Sequence, residues 1–298
     1  MKQKFLHILD VLVIFALAAY LLLDTFVIPR TYSVVTADAK STADTSSVTN
    51  ASSASITDTS YTDDNISIKI TASTYDNTVI YTADVQVSDA SYLQTAFANS
   101  TYGKNITAST SSIADSVGAI LAINGDFYGA RSSGYVIRNG VLYRDTSSSS
   151  SQEDLVISKD GSFSIITEGS VSAGTLLSNG AQQVLSFGPA LIENGEISVS
   201  ENQEVGQAMT SNPRTAICEI GPLHYLLVVA DGRTSASEGL SLYQMAQYLQ
   251  TLGVSTAYNL DGGGSSTMVF NGTVINNPTT NGNKISERSV SDIVYIGA

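Results

Sequence analysis

The stretch Thr-Ala-Tyr-Asn-Leu-Asp-Gly-Gly-Gly-Ser-Ser-Thr, residues 256–267, carries one carboxylate from a strand-like run into three glycines and three hydroxyls. Glycine tolerates positive φ and lets backbone approach a ligand. Successive N–H groups in such a turn can form an anion-binding nest. A strand ending in Asp261, with Gly262, Gly263 and Gly264 as the turn and Ser265 and Ser266 behind it, sets the pattern for the whole chain: short strands with chemistry at their ends.

Upstream, Leu242, Met245, Ala246 and Leu249 recur at helical spacing, Ser241 and Gln244 stand in capping-box register, and Gly253 supplies a stop. This helix feeds directly into the strand at 256–260. Before it, 215–220 and 223–230 read as two strands joined at Gly221-Pro222, and the second ends in Asp231-Gly232-Arg233. Asn139-Gly140, Asn194-Gly195 and Asn271-Gly272 are two-residue hairpin turns. Ile66-Ser67-Ile68-Lys69-Ile70 alternates with period two and 78–87 does so loosely, whereas 91–98 and 111–117 read as short helices. Strands outnumber helices, which predicts an α+β fold of mixed β-sheets with flanking helices.

Three segments are expected. Residues 1–30 carry Lys2 and Lys4 before an apolar run whose uncharged core, Val11 to Leu23, is bracketed by Asp10 and Asp24. They read as an uncleaved signal anchor, a single transmembrane helix that places the rest of the chain outside the cell. Residues 31–62, rich in Ser and Thr, read as a linker. Residues 63–298 are expected to form a single folded domain.

The chemistry is bounded by what is scarce. A net charge of −13 argues against a nucleic-acid surface. The lone cysteine, Cys218, lies in an apolar run and reads as buried and inert. Two histidines, His7 in the apolar N-terminus and His224 in a strand, leave no Ser-His-Asp triad and no multi-histidine zinc site. Carboxylates must therefore carry any catalysis, and Asp261, Asp231 and Glu287 are the catalytic candidates. Arginine meets phosphate oxygens bidentately, so Arg214, Arg233 and Arg288, with Asn124, Gly262, Gly263, Gly264, Ser265 and Ser266, are the candidate substrate and phosphate ligands. An arginine beside Asp261 is expected to hold its carboxyl low and ionised. The general acid remains unassigned. No organic cofactor is implied; a calcium ion on the carboxylates is a minor alternative.

Six motifs in order resemble a known family: Asn-Gly-Asp-Phe-Tyr (124–128), Phe-Gly-Pro-Ala-Leu with Asn-Gly (187–195), Pro-Arg-Thr-Ala (213–216), Asp-Gly-Arg (231–233), Asn-Leu-Asp-Gly-Gly-Gly-Ser-Ser-Thr (259–267) and Glu-Arg-Ser-Val (287–290). Over about residues 110–298 the chain looks like the phosphodiester glycosidase family, to which bacterial proteins of exopolysaccharide biosynthesis also belong. The resemblance implies hydrolysis of a sugar-1-phosphodiester on envelope or extracellular glycans, with Asp261 and its glycines, Arg214, Asp231, Arg233, Asn124, Glu287 and Arg288 as the site. The alternative is a non-catalytic glycan-binding or assembly factor. Two departures stand out. Asp126 replaces a residue that is often small, which is expected to alter the pocket's charge, and 277–282 reads Asn-Pro-Thr-Thr-Asn-Gly in place of a Pro-Ser-Asp-like run.

Overall fold

The structure is a computed structural model that describes residues 2–32, 54–204, 211–280, 282 and 284–297. Three large antiparallel sheets and two short two-stranded ones are formed by the described residues. The largest has nine strands, ordered Glu196–Ile197, Ala190–Glu193, Thr256–Asn259, Arg214–Gly221, His224–Ala230, Thr78–Val87, Ile66–Tyr75, Ser60–Thr62 and Ser55–Ile56. A five-stranded sheet runs Thr273–Val274, Met268–Phe270, Leu121–Asn124, Asp292–Ile296 and Leu93–Phe97, and a second contains Val141–Arg144, Val136–Arg138, Ala181–Leu185, Glu153–Ser158 and Phe163–Thr167. The expected α+β arrangement of several sheets and few helices is present.

The centre of the large sheet is buried on both faces because its strands there are apolar at successive positions. Ile217, Leu227 and Val229 point into a core shared with Leu121, Ile123 and Val294 of one small sheet and Leu155 and Leu185 of the other. Their neighbours Ala216, Cys218, Leu226 and Val228 face the opposite way, onto Leu242, Met245 and Leu249. Those last three belong to the helix expected from its spacing, Leu242–Thr251, with the Ser241/Gln244 capping box formed and Gly253 at φ +75°. Burying each such side chain contributes roughly 1.5–3 kcal/mol. The cap adds about 1 kcal/mol. Cys218 is fully buried against this helix, and burial raises its thiol pKa, so it is inert.

The three Asn-Gly turns form as expected, both residues of each at positive φ. Other expectations fail for identifiable reasons. Residues 91–98, read as helix, are a short turn at Ala90–Tyr92 followed by the strand Leu93–Phe97. That strand pairs with the C-terminal strand, Thr95 opposite Val294. The partner lies some two hundred positions away, and tertiary pairing overrides a local composition that suits helix. The short helix Ala173–Ser178, capped by Ser172, has no counterpart in the sequence reading. Of the segment read as linker, 33–53 lies outside the described residues, whereas Ser55–Ile56 and Ser60–Thr62 already pair in the large sheet.

The membrane anchor is not supported. Lys2–Phe26 is helical, but no helix among the described residues is long and apolar enough to cross a membrane. Lys2, Lys4, Asp10 and Asp24 leave Val11 to Leu23 as the longest uncharged run of the helix, against about 20 residues for a span. The end of the helix is tied to the domain: Asn105 Nδ2 donates to Ile28 O (3.2 Å) and Thr25 O (3.3 Å), and Arg30–Thr31 pairs with Gly103–Lys104.

Candidate functional site

Antiparallel register gathers the site. Ala216 pairs with Asn259 and Arg214 with Ala230, so the end of one strand, the start of the next and the end of the third come together at one rim. Asp261, Arg214 and Arg233 are therefore neighbours although up to 47 positions apart in sequence. Asn124 joins the second sheet to this rim. It is fully buried; its Nδ2 donates to Asp261 O (2.6 Å), and its Oδ1 accepts from Thr215 Oγ1 (2.8 Å) and Thr267 N (3.3 Å). Asn124 thus ties the Asp261 loop to the second sheet, and its side chain is spent on these bonds.

A cleft of about 330 Å³ opens at the rim, lined by Phe127, Arg131, Phe187, Asn212, Arg214, Arg233, Asn259, Leu260, Asp261, Gly262, Gly263 and Arg288. Four arginines and one carboxylate face it, a local excess of positive charge in a chain of net charge −13. Arg288 Nη2 lies 3.0 Å from Asp261 Oδ2 and 3.2 Å from Oδ1, its Nε donates to Ser265 Oγ (2.9 Å), and Ser265 Oγ donates to Asp261 Oδ2 (2.7 Å). Burial of Asp261 raises its pKa; Arg288 and Ser265 pull it back, and the net direction is upward. The expected depression by arginine is present but smaller than the desolvation it opposes.

The glycines serve packing more than a free anion nest. Gly263 N donates to Pro213 O (2.9 Å), and the Gly262 amide serves Asp261 itself. Gly263 sits at φ +62°, and a Cβ there would stand 2.8 Å from Arg233 Nη2; at Gly262 it would stand 2.9 Å from Pro213 O, and at Gly264 2.9 Å from Thr280 Oγ1. Ser266 is fully buried, its Oγ without a hydrogen-bond partner.

Arg214 is buried, donating from Nε to Leu240 O (2.8 Å) and from Nη2 to Glu204 Oε2 (2.7 Å). Arg233 lies over the rim, with Nη2 donating to Asn212 Oδ1 (3.1 Å); partial burial and the like charge of Arg288 both hold its pKa below the ordinary value.

Two of the three candidate carboxylates are committed elsewhere. Asp231 is 4% exposed and accepts from Asn276 Nδ2 (2.9 Å) and Asn277 N (3.0 Å), clasping the loop that follows the Thr273–Val274 strand. Glu287 Oε1 accepts from Ser111 N (2.9 Å) and Oε2 from Ser111 Oγ, which ties it to the first turn of the helix Thr110–Ser116. Neither lines the cleft. Among the described residues no group of three or more histidine, cysteine or carboxylate side chains is placed to hold a metal ion, so the calcium alternative gains no site.

Asp126 does not charge the pocket. It is fully buried, with Oδ2 2.9 Å from Arg138 Nη2, which also meets Asp292 Oδ2 at 2.9 Å. Burial works against the Arg138 charge, but the two carboxylates more than offset it. Asp126 Oδ1 accepts from Tyr128 N (3.1 Å) and Oδ2 from Ser186 N (2.7 Å), so this pair fixes both segments that present Phe127 and Phe187. Phe127 is held at φ +70°, a left-handed conformation that costs a non-glycine residue roughly 1–3 kcal/mol. The sequence reading missed Arg131, Phe127, Phe187 and Asn259 as cleft residues. Phe127, Phe187 and Asn259 all lie inside the six motifs, and for the two rings an aromatic close to a glycine is the available signal.

Residues 117–297 match the family model described as phosphodiester glycosidase. The chain is 30% identical over 184 residues to the SPbeta prophage-derived uncharacterized protein YomE of Bacillus subtilis (strain 168), covering 60% of this chain and 28% of that protein. It is 32% identical over 179 residues to the mouse N-acetylglucosamine-1-phosphodiester alpha-N-acetylglucosaminidase, covering 54% of this chain and 34% of the relative. The chain thus spans about a third of the length of these curated relatives. The fold is similar to the catalytic domain of the zebrafish enzyme of the same name, auto-inhibited by its pro-peptide, with a TM-score of 0.61 at 23% identity over 78% of this chain and 83% of that one.

Proposed function

The chain belongs to the phosphodiester glycosidase family, and from that premise we propose that it hydrolyses the bond between a sugar's anomeric carbon and a phosphodiester. The observation that carries the reading is the cleft's charge: Arg233 and Arg288 lie close enough to repel each other, beside a single carboxylate that only one of them engages. A bound phosphodiester relieves that repulsion through charge-assisted hydrogen bonds. Water attacks the anomeric carbon, the carbon–oxygen bond breaks, and the phosphate monoester departs as an anion stabilised by the guanidiniums. Such a leaving group needs little help from an acid, which suits a cleft where Asp261 is the sole carboxylate among the lining residues. In its ionised form Asp261 faces the positive charge that develops on the sugar and accepts the proton of the attacking water. The sugar of the curated relatives' name, N-acetylglucosamine, is the first substrate to try. The lysine-led apolar N-terminus, Lys2 and Lys4 before Val11 to Leu23, supports export, so envelope or extracellular glycans are the proposed setting.

The test is turnover by the full chain on a panel of hexose-1-phosphodiesters that includes N-acetylglucosamine. Sugar release by the wild type and its loss in Asp261→Asn, with the thermal transition retained, are expected. Undiminished turnover in Asp261→Asn removes that residue from the mechanism. A second reading, a glycan-binding factor without catalysis, draws on the diversion of Asp231 and Glu287 away from the cleft. Saturable binding with no turnover across the panel selects it.

A further inference from the structure

Two features of the cleft have no part in the charge argument above. Phe127 is 42% exposed, although it is a large apolar residue in a left-handed conformation that glycine adopts without strain. Its ring and that of Phe187 line the same cleft as Asp261 and the arginines. Neither is left to chance. Asp126 holds the amides that follow Phe127 and precede Phe187, Phe187 N donates to Tyr258 OH (2.8 Å), and the Arg131 guanidinium lies 5.3 Å from the Phe187 ring centre. Exposed aromatic surface kept in place by a strained backbone and a buried ion pair is preorganised for a ligand. The second feature is independent. Asn259 also lines the cleft and is 1% exposed; its Nδ2 donates to Gly188 O (2.8 Å), while its Oδ1 is a buried acceptor with no hydrogen-bond partner. A buried acceptor without a donor is costly unless a ligand supplies one.

We propose that Phe127, Phe187 and Asn259 form the sugar subsite of this cleft, distinct from the phosphate end that Arg233 and Arg288 provide. The inference rests on the phosphodiester reading and names the recognised group: a pyranose ring that lays its apolar C–H face on the aromatic pair and offers a hydroxyl or amide N–H to Asn259 Oδ1. Phe127 is then a specificity residue, and its backbone strain is retained for the sake of the ring.

The experiment is calorimetric binding to the full chain, which does not depend on turnover. The probes are the methyl phosphonate ester of N-acetylglucosamine, in which CH₂ replaces the anomeric oxygen so that it resists hydrolysis, and dimethyl phosphate, which lacks the sugar. Phe127→Gly relaxes the backbone and keeps the fold, so its thermal transition is expected to stay or rise. Its Kd for the phosphonate is expected to rise about tenfold or more, with dimethyl phosphate unchanged. Phe187→Leu, which keeps bulk without a ring, is expected to behave alike, and Asn259→Leu to weaken only the sugar probe. Equal loss of both probes in Phe127→Gly assigns the ring to the phosphate end and overturns the subsite, as does unchanged phosphonate binding. A wild type that binds the phosphonate no tighter than dimethyl phosphate overturns it as well. Absence of turnover with these binding differences intact counts against the hydrolase reading alone.

Discussion

Arg288 holds both oxygens of Asp261 from a loop 27 residues further along the chain, with Nη2 at 3.0 Å and 3.2 Å, while its Nε engages the same serine hydroxyl that hydrogen-bonds the carboxylate. The carboxylate is thus oriented by a closed triangle of Asp261, Ser265 and Arg288. The triangle is anchored through the backbone, Arg288 N donating to Gly264 O (3.0 Å). Lysine cannot reproduce such a contact, because a point ammonium lacks the planar fork.

Arg288→Lys is therefore expected to reduce kcat/KM about a hundredfold through lost orientation. The pH profile checks the cause. Asp261 already has a raised pKa from burial, and Arg288 lowers it. Weakening that contact raises the pKa further, and activity that needs the ionised form is lost as pH falls through it. The acidic limb of the profile must move to higher pH; an unmoved limb with reduced activity would show that Arg288 serves only the phosphate.

Glu287 neighbours Arg288 in sequence, yet its carboxylate belongs to the first turn of the helix Thr110–Ser116. Removing a side chain that satisfies an amide at a helix start costs about 0.5–2 kcal/mol. Glu287→Ala is expected to lower the unfolding midpoint in urea while kcat stays near the wild-type value. A kcat reduced by orders of magnitude, with stability unchanged, would return Glu287 to the catalytic set.

Asp154 offers a test of pH-linked stability. It is fully buried, and burial together with the charge of Glu168 pushes its pKa up to about 9. A carboxyl raised in the folded state favours folding while protonated, fully so below its ordinary value of 3.8, and this contribution is lost as pH rises toward 9. Asp154→Asn mimics the protonated acid and removes the titration. The variant is expected to be more stable than the wild type at pH 8, with the difference vanishing near pH 4. A constant difference across that range would mean that another group carries the pH dependence.

The capped helix Leu242–Thr251, the three Asn-Gly hairpin turns and the strand that delivers Asp261 depend on spacing, propensity and turn chemistry within a few residues. The composition, short of histidine and cysteine, by itself restricts the chemistry to carboxylates and arginines. Six ordered motifs pointed to the family that residues 117–297 match.

Tertiary structure decided which charged residues are functional and which hold the frame. Asp231, Glu287 and Asp261 are equivalent as letters beside turns. The closing of Asn276-Asn277 onto the first and of the Ser111 turn onto the second removes them from the cleft and leaves Asp261 as its carboxylate among the described residues. The strand Leu93–Phe97 likewise owes its form to pairing with Asp292–Ile296 across the length of the domain, not to its own residues. Local sequence specifies conformation through interactions a few residues apart. Burial, desolvation and hydrogen-bond partners arise from contacts between distant segments, and on these the ionisation of Asp261 and the placement of Phe127 depend.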